Sequence, residues 1–342
     1  LKQETIELRS LRKDLAAYQE PDMFRSIAEI VMSAAPLAAI WAIAWTAVSP
    51  GLWWLGLLLS MPAAAFVVRL FMIRHDCGHR AMFKGGPLND RIGRAIGVIT
   101  LTPYDCWRRE HAIHHATSRN LDRRGTGSLL TLTVDEYRAL NPLRRFGYRL
   151  YRNPLVLFLV GPFYVFFIQQ RLPLGPMREG WRPWASAMGT NIALAALIAV
   201  AICFGGWKAL LLVHVPTMVI AASIGVWLFF IQHQFEHMHW ARQGEWNLTE
   251  SALHGSSHYD LPAPLRWLTG NIGIHHVHHV AIRIPFYRLT TVLKRHPHLK
   301  HIGRVTLLQS LSCVGLVLWD ETQRRLVSFR HLRTMNMSRS AR

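Results

Sequence analysis

The chain is short of acidic residues. Twenty Asp and Glu stand against 39 Lys and Arg in 342 residues, leaving a formal charge of +19. Such an excess implies an anionic partner, either nucleic acid or lipid headgroups. The placement of the basic residues excludes the first, because they flank apolar runs instead of forming one polar domain. Cysteine is scarce as well. Cys77, Cys106, Cys203 and Cys313 are scattered with no C-x-x-C pair, which excludes a disulfide frame and fits free thiols in a reducing compartment. No phosphate-binding glycine loop, dinucleotide fingerprint or Ser-His-Asp arrangement appears. No cleavable signal peptide is expected either, since Leu1–Arg25 is polar and the apolar run after it has the length of a span.

Apolar residues are plentiful. The composition is 51% hydrophobic with 13 Trp, and the mean hydropathy is +0.14 despite the charge. Four runs are long enough to cross a bilayer: Ile27–Val48, Leu52–Ile73, Ala187–Phe204 and Lys208–Ile231. Crossing roughly 30 Å of hydrocarbon at about 1.5 Å per residue takes about 20 residues. Ser49-Pro50-Gly51 and Gly205-Gly206-Trp207 are tight turns, so the runs pair as two hairpins. These turns are nearly free of Lys and Arg. Basic residues precede the first run (Arg9, Arg12, Lys13, Arg25), fill the middle from Arg74 to Arg182, and dominate after Ile231. The positive-inside rule then places both termini and the middle segment in the cytoplasm.

The expected architecture is an all-α integral membrane protein with four transmembrane helices in two hairpins and a cytosolic helical cap. Residues 1–26 form an amphipathic cytosolic segment, with Ile6, Leu8, Leu11 and Leu15 on one face for the membrane surface. Residues 27–332 form the membrane domain, its spans near 27–48, 52–73, 187–204 and 208–231, its cap made of 74–186 and 232–332. Residues 333–342 read as a disordered basic tail. Ile92–Leu101 and Pro154–Ile168 are apolar but short, and are placed in the interface or half-inserted. Trp246–Leu253 and Ala263–Leu268 look helical, and Arg304–Trp319 has periodic Leu and Val.

Histidines cluster at the ends of the apolar runs: His75-x-x-x-His79, His111-x-x-His114-His115 and His275-x-x-His278-His279, with His233 and His237 following the fourth run. Positions i, i+3 and i+4 share one helix face, so each cluster can aim its rings at a common point. Neutral imidazole suits iron, zinc, copper or nickel. Eight or nine such ligands are too many for one tetrahedral zinc, which takes four. They suit two metal ions with positions left open for chemistry.

With HDCGH (His75–His79), HAIHHATSRNLDRRGTG (His111–Gly127) and GNIGIHHVHHVAIRIPFYRL (Gly270–Leu289), the chain resembles the integral-membrane fatty acid desaturases, and bacterial acyl-lipid desaturases most closely. TLTVDEY (Thr131–Tyr137) and FIQHQFEH (Phe230–His237) add to the likeness, which runs from about Ile27 to Val327. The resemblance implies a non-haem centre of two iron ions that activates O₂ and removes two hydrogens from adjacent carbons of an acyl chain. It implies ligands at His75, His79, His111, His114, His115, His275, His278 and His279. A further ligand follows the fourth span, where His233 is favoured and His237 is the alternative. The choice of iron over copper rests on the resemblance, whereas zinc has no redox chemistry to offer.

No HPGG haem motif is present, since His298 follows Pro297 without that pattern. The electrons must then come from a separate donor, a ferredoxin, which the basic surface would steer. The substrate is expected to be a membrane lipid or other acyl carrier, and the location the cytoplasmic membrane with the active site on the cytosolic side. A hydroxylase, ketolase or acetylenase on the same scaffold is the second reading. A metal transporter is the third, although its ligands would belong near the bilayer midplane. Asp76, Asp105, Glu110, Glu236 and Asn271 are candidates to orient the rings. His276 is expected to point away, His239 is a weaker ligand candidate, and His254 and His258 are surface or supporting residues. His296, His298 and His301 read as a solvated basic run, and His214 as a residue hydrogen-bonded between helices.

Overall fold

The computed structural model describes residues 10–48, 51–125, 128–174 and 179–340. Helix dominates, because the long apolar runs have only their own backbone to bond in hydrocarbon. Among the described residues, four helices are long and apolar enough to cross a membrane: α1 (Met23–Val48), α2 (Trp53–Gly78), α6 (Trp181–Phe204) and α7 (Gly206–His233). Each extends past the apolar run that announced it. α2 continues through Arg74, His75 and Asp76 because those polar groups are buried among protein partners, and nothing stops the helix before Gly78. α7 likewise runs on to His233. Two of the four long apolar helices thus carry histidines at their ends. Gly206 separates α6 from α7 with φ +73, a backbone state that glycine tolerates. Gly51 closes the other turn at φ +89; Ser49 and Pro50 lie outside the described residues.

α1 packs along α2, and α2 along α7. Within this packing the buried Glu29 and Arg69 form an ion pair, and Ser60 donates to the Val213 carbonyl at 3.2 Å. α3 (Gly86–Ile99) starts well before the expected Ile92 and buries Asn89, Gly93, Ile96 and Gly97. A Cβ on Gly93 would fall inside the Tyr104 ring, so that glycine is what lets α3 approach α4 (Tyr104–Thr117). α5 (Pro142–Tyr151) and the apolar stretch Val156–Arg171 meet at a bend of 60°; taken as one broken span they would be a fifth crossing. Two π-helical turns, Val156–Val160 and Tyr164–Ile168, flank Gly161-Pro162 in this stretch, where proline removes a backbone donor.

After α7 the described residues add six shorter helices, α8 (Leu248–His254), α9 (Ala263–Leu268), α10 (His275–Val280), α11 (Phe286–Arg295), α12 (Leu307–Cys313) and α13 (Phe329–Ser340), which with the segment between α2 and α6 make up the region outside the four long helices. It also holds five strands of two or three residues, which corrects the all-α expectation. β1 (Leu132–Thr133) pairs in parallel with β4 (Leu318–Asp320), Leu132 opposite Leu318, and β4 pairs antiparallel with β5 (Arg325–Val327). β2 (His258–Asp260) runs parallel to β3 (Arg304–Thr306). Strands this short carry no alternation a sequence can reveal. Arg304–Trp319, with its periodic Leu and Val, comprises β3, α12 and the start of β4.

Two terminal expectations also change. Ile6 and Leu8 lie outside the described residues; residues 10–16 are helical. Leu15 is fully buried in the main core, and Arg12 Nε donates to the Val280 carbonyl at 3.4 Å. The segment therefore packs into the main core beside Val280 of α10, and α1 begins anew at Met23. The tail expected to be disordered is helical through Ser340. Ser328 Oγ accepts from the His331 amide at 3.2 Å at the start of this helix, and Leu332 is buried.

Candidate metal centre

Four elements bring the histidines together. The end of α2 supplies His75 and, one turn on, His79. α4 supplies His111, His114 and His115, and α10 supplies His275, His278 and His279. The last residue of α7 is His233. Their ring nitrogens form two groups: His75, His79, His111, His115 and His278 in one, His114, His233, His275 and His279 in the other, each with its nitrogens within 4.8 Å of one another. All nine histidines singled out in the sequence belong to these groups.

The expected single focus for each cluster is corrected by this arrangement. On α4 the outer pair, His111 and His115, faces the first group while His114 faces the second. On α10 the outer pair, His275 and His279, faces the second group while His278 faces the first. Each H-x-x-H-H motif therefore spans both groups, and the two helices exchange their middle rings. Positions i and i+4 share a line along the helix, and i+3 lies beside it.

The spacing within the groups is informative. His111 Nε2 lies 3.0 Å from Nε2 of His75, His79 and His115. In the second group His233 Nε2 is 3.1 Å from His114 and 3.0 Å from His275, and His279 is 3.0 Å from His275. Two nitrogens bound at about 2.1 Å and at right angles lie about 3.0 Å apart, whereas a tetrahedron sets them about 3.4 Å apart. The spacing fits a five- or six-coordinate ion better than a closed tetrahedral site.

The donor set passes the same test. Burial first, and then the neighbouring rings, hold His79, His111, His115, His275, His278 and His279 well below the ordinary histidine range. Burial, with Arg119 beside it, lowers His114 to about 3. These rings are neutral at physiological pH, which is the form a metal needs. The buried His278 Nε2 has no hydrogen-bond partner among the described residues. A carboxylate orients one of the rings: Asp76 Oδ1 accepts from His75 Nδ1 at 2.9 Å. That fixes the tautomer and leaves Nε2 as the ligand atom.

The remaining candidates lie elsewhere. α7 stops at His233 because Gln234 turns to φ −140 and ψ 85, which leaves His237 exposed. His276 Nε2 meets the Leu299 carbonyl at 2.8 Å, and His258 Nδ1 the Lys300 carbonyl at 2.7 Å. His254, His298 and His301 are exposed, while His239 and His296 are half-buried. His214 packs edge-on to Trp41 and Trp45, at 4.5 and 5.1 Å between ring centres. Asp105 pairs with Arg94, Glu236 with Arg325, and Asn271 with the Phe286 carbonyl.

Three supporting residues escaped the sequence reading. Arg119 is buried, and its guanidinium donates to the His233 carbonyl at 3.0 Å, capping α7. Gln234 is held by Arg152 at 3.2 Å and by Thr131 at 3.0 Å. The Ser257 carbonyl accepts from the amides of His275 and His276, while its hydroxyl donates to the Ile231 carbonyl. Ser257 thereby ties α10 to α7. A basic, an amide and a hydroxyl residue near the histidine motifs are the only signal, and such residues are common on surfaces.

Two cavities meet at the histidines. One, of about 260 Å³, is lined mainly by apolar residues of α2 and α7, among them Val68, Met72, Met218 and Phe229, and it reaches His75, His111 and His275. Glu110 also lines it. The other is an open cleft of about 1350 Å³ lined by Arg12, Arg80, Arg94, Arg108, Arg109 and Arg182, with Asp90 and Asp105; it reaches His79, His111, His115 and His279. Trp107 and His111 line both cavities, stacked at 4.4 Å and 17°.

Comparison with known proteins agrees with this geometry. The family model described as "Fatty acid desaturase" matches residues 51–301. The chain is 41% identical over 330 residues to a fatty acid desaturase of Bacillus subtilis (strain 168), covering 96% of this chain and 93% of that protein. It is 27% identical to an sn-1 acyl-lipid omega-3 desaturase (ferredoxin) of Synechocystis sp., over 79% of this chain and 74% of that protein. A second Synechocystis protein, an sn-1 oleoyl-lipid 12-desaturase, is 24% identical over 64% of this chain and 62% of that protein.

Proposed function

Because this chain belongs to the fatty acid desaturases, a membrane-associated enzyme family whose reaction is acyl desaturation, we propose that it places a cis double bond in a lipid-linked acyl chain at a centre of two iron ions. His75, His79, His111, His115 and His278 would hold one ion, and His114, His233, His275 and His279 the other. Bound there, the irons supply activation of O₂. Overall, two hydrogens leave adjacent carbons and O₂ becomes two waters, with two further electrons and two protons from outside.

The chain's own residues do the positioning. The apolar cavity takes the methyl end of the acyl chain and keeps water from it. The arginine cleft takes the anionic end of the carrier, whose phosphate guanidinium groups bind well. A chain lying in both cavities passes Trp107 and His111, so its middle carbons lie beside the histidines. The observation that carries this reading is the apolar cavity ending on His75, His111 and His275, the contact an unactivated alkyl chain needs. Asp76, Arg119 and Ser257 keep the rings in place.

The two-electron donor is a ferredoxin-like protein, a reading supported by the ferredoxin named for a Synechocystis relative and by the basic charge of the chain. We place the protein in the cytoplasmic membrane, with both termini and the centre on the cytosolic side, following the Lys and Arg distribution. Residues 1–26 lead into a membrane domain of 27–332 whose cap comprises 74–186 and 232–332, followed by the tail 333–342. Expression in a host lacking unsaturated fatty acids tests the function. Methyl ester analysis should find a new cis-unsaturated product with O₂ and none without it. A hydroxylated product in its place would move the enzyme to the second chemistry of this scaffold.

A further inference from the structure

Helix α12, Leu307–Cys313 with sequence LLQSLSC, is turned inside out. Ser310 is fully buried and Cys313 nearly so, while Leu307, Leu308 and Leu311 are 42%, 80% and 64% exposed. A helix bathed by water hides its apolar stripe. The reverse arrangement suits a helix whose outer face meets hydrocarbon.

The orientation is fixed by bonds on the inner face. A capping box of Thr306 and Gln309 sets the start of the helix. Ser310 Oγ lies 3.1 Å from the Tyr259 hydroxyl, which accepts from Trp227 Nε1 at 3.3 Å. Trp227 belongs to α7, six residues before His233, so it sits about 9 Å toward the interior of the apolar layer at 1.5 Å per residue. α12 is therefore tied through Tyr259 to a point on α7 one to two turns before His233.

The neighbouring surface has the same character. Phe158, from the bent apolar stretch, packs on Trp227 and Phe230 with ring centres 5.1 and 5.2 Å away. Beside it Leu155, Leu159 and Val160 are at least half exposed. Two elements with exposed apolar residues thus adjoin Trp227 of α7, one through the Phe158 ring and α12 through Tyr259. Lys300, just before α12, is exposed and suited to anionic headgroups, while the nearby Arg304 pairs with Asp260 at 2.7 Å.

We propose that α12 is a membrane-anchoring element of the cap, inserting Leu307, Leu308 and Leu311 into the headgroup–acyl boundary of the leaflet that surrounds the end of α7. The occupant of this face is phospholipid. This assignment is independent of the reaction, and it fixes the cap against the bilayer at a second place beyond the four spans.

The test is depth labelling of the full chain in vesicles of phosphatidylcholine and phosphatidylglycerol. Cys203 is exposed, whereas Cys77, Cys106 and Cys313 are buried, so replacing Cys203 alone gives a quiet background. Leu308→Cys and Leu311→Cys, carrying an environment-sensitive dye, should be quenched several-fold more by lipids brominated on the acyl chain than Gln323→Cys, an exposed cap position. Aqueous iodide should show the opposite order. Equal iodide quenching at 308 and 323 would overturn the proposal. Shielding of 308 and 311 from both quenchers would also overturn it, in favour of contact with a second protein chain.

Discussion

The carboxylate of Asp76 joins two parts of the centre that lie far apart in the chain. Oδ1 accepts from His75 Nδ1 at 2.9 Å, and Oδ2 accepts from the Phe286 amide at 2.6 Å. One side chain thus sets the tautomer of His75 and anchors the start of α11, which follows the His275–His279 motif.

Replacing Asp76 should therefore affect metal and not only fold. Asp76→Ala is expected to lower metal affinity or activity by about 10–100-fold, the usual effect of losing a carboxylate behind a ligating histidine. Asp76→Asn keeps one acceptor and should fall between Ala and the native chain. Metal titration of the purified variants checks the order, and an unchanged affinity in both would remove Asp76 from the site.

Alanine at His79, His115, His279 or His233 should abolish product and reduce metal content. His237→Ala, His298→Ala and His301→Ala alter exposed rings and should keep substantial turnover. His276→Ala is the informative control. It removes a buried hydrogen bond to Leu299, so it should cost about 1–3 kcal/mol of stability while leaving metal content in place. Loss of metal in His276→Ala, or an essential His237 beside a dispensable His233, would show that the grouping of rings is wrong.

Much of this centre was legible because it is local. The i, i+3, i+4 spacing of His111, His114 and His115 is a property of one helix, and so is that of His275, His278 and His279. The spans were legible for the same reason, since length and apolarity belong to each run separately. The division of each motif between two groups was not, because it depends on how α4 faces α10. Arg119, Gln234 and Ser257 act through bonds to residues 18 or more positions away, and a single sequence holds no trace of those pairings. Leu15 looked like one stripe of a surface helix, and only tertiary packing decides that it enters the core.

The sidedness of the centre can be read chemically. In a chain with its native cysteines replaced, Leu52→Cys and Trp207→Cys lie at the two tight turns and should react with an impermeant thiol reagent added outside the cell. Glu179→Cys and Gln323→Cys should be silent. Outside labelling at Glu179 would mean that Val156–Arg171 crosses the layer, and the four-span arrangement would have to be abandoned.

The central claim is that nine histidines hold two redox-active metal ions. The most direct measurement is the metal content of protein purified from iron-supplied cells, taken together with turnover of the same preparation. About two iron atoms per chain are expected when the site is fully loaded, with activity proportional to iron. A preparation that holds one zinc per chain and still desaturates with O₂ would contradict it.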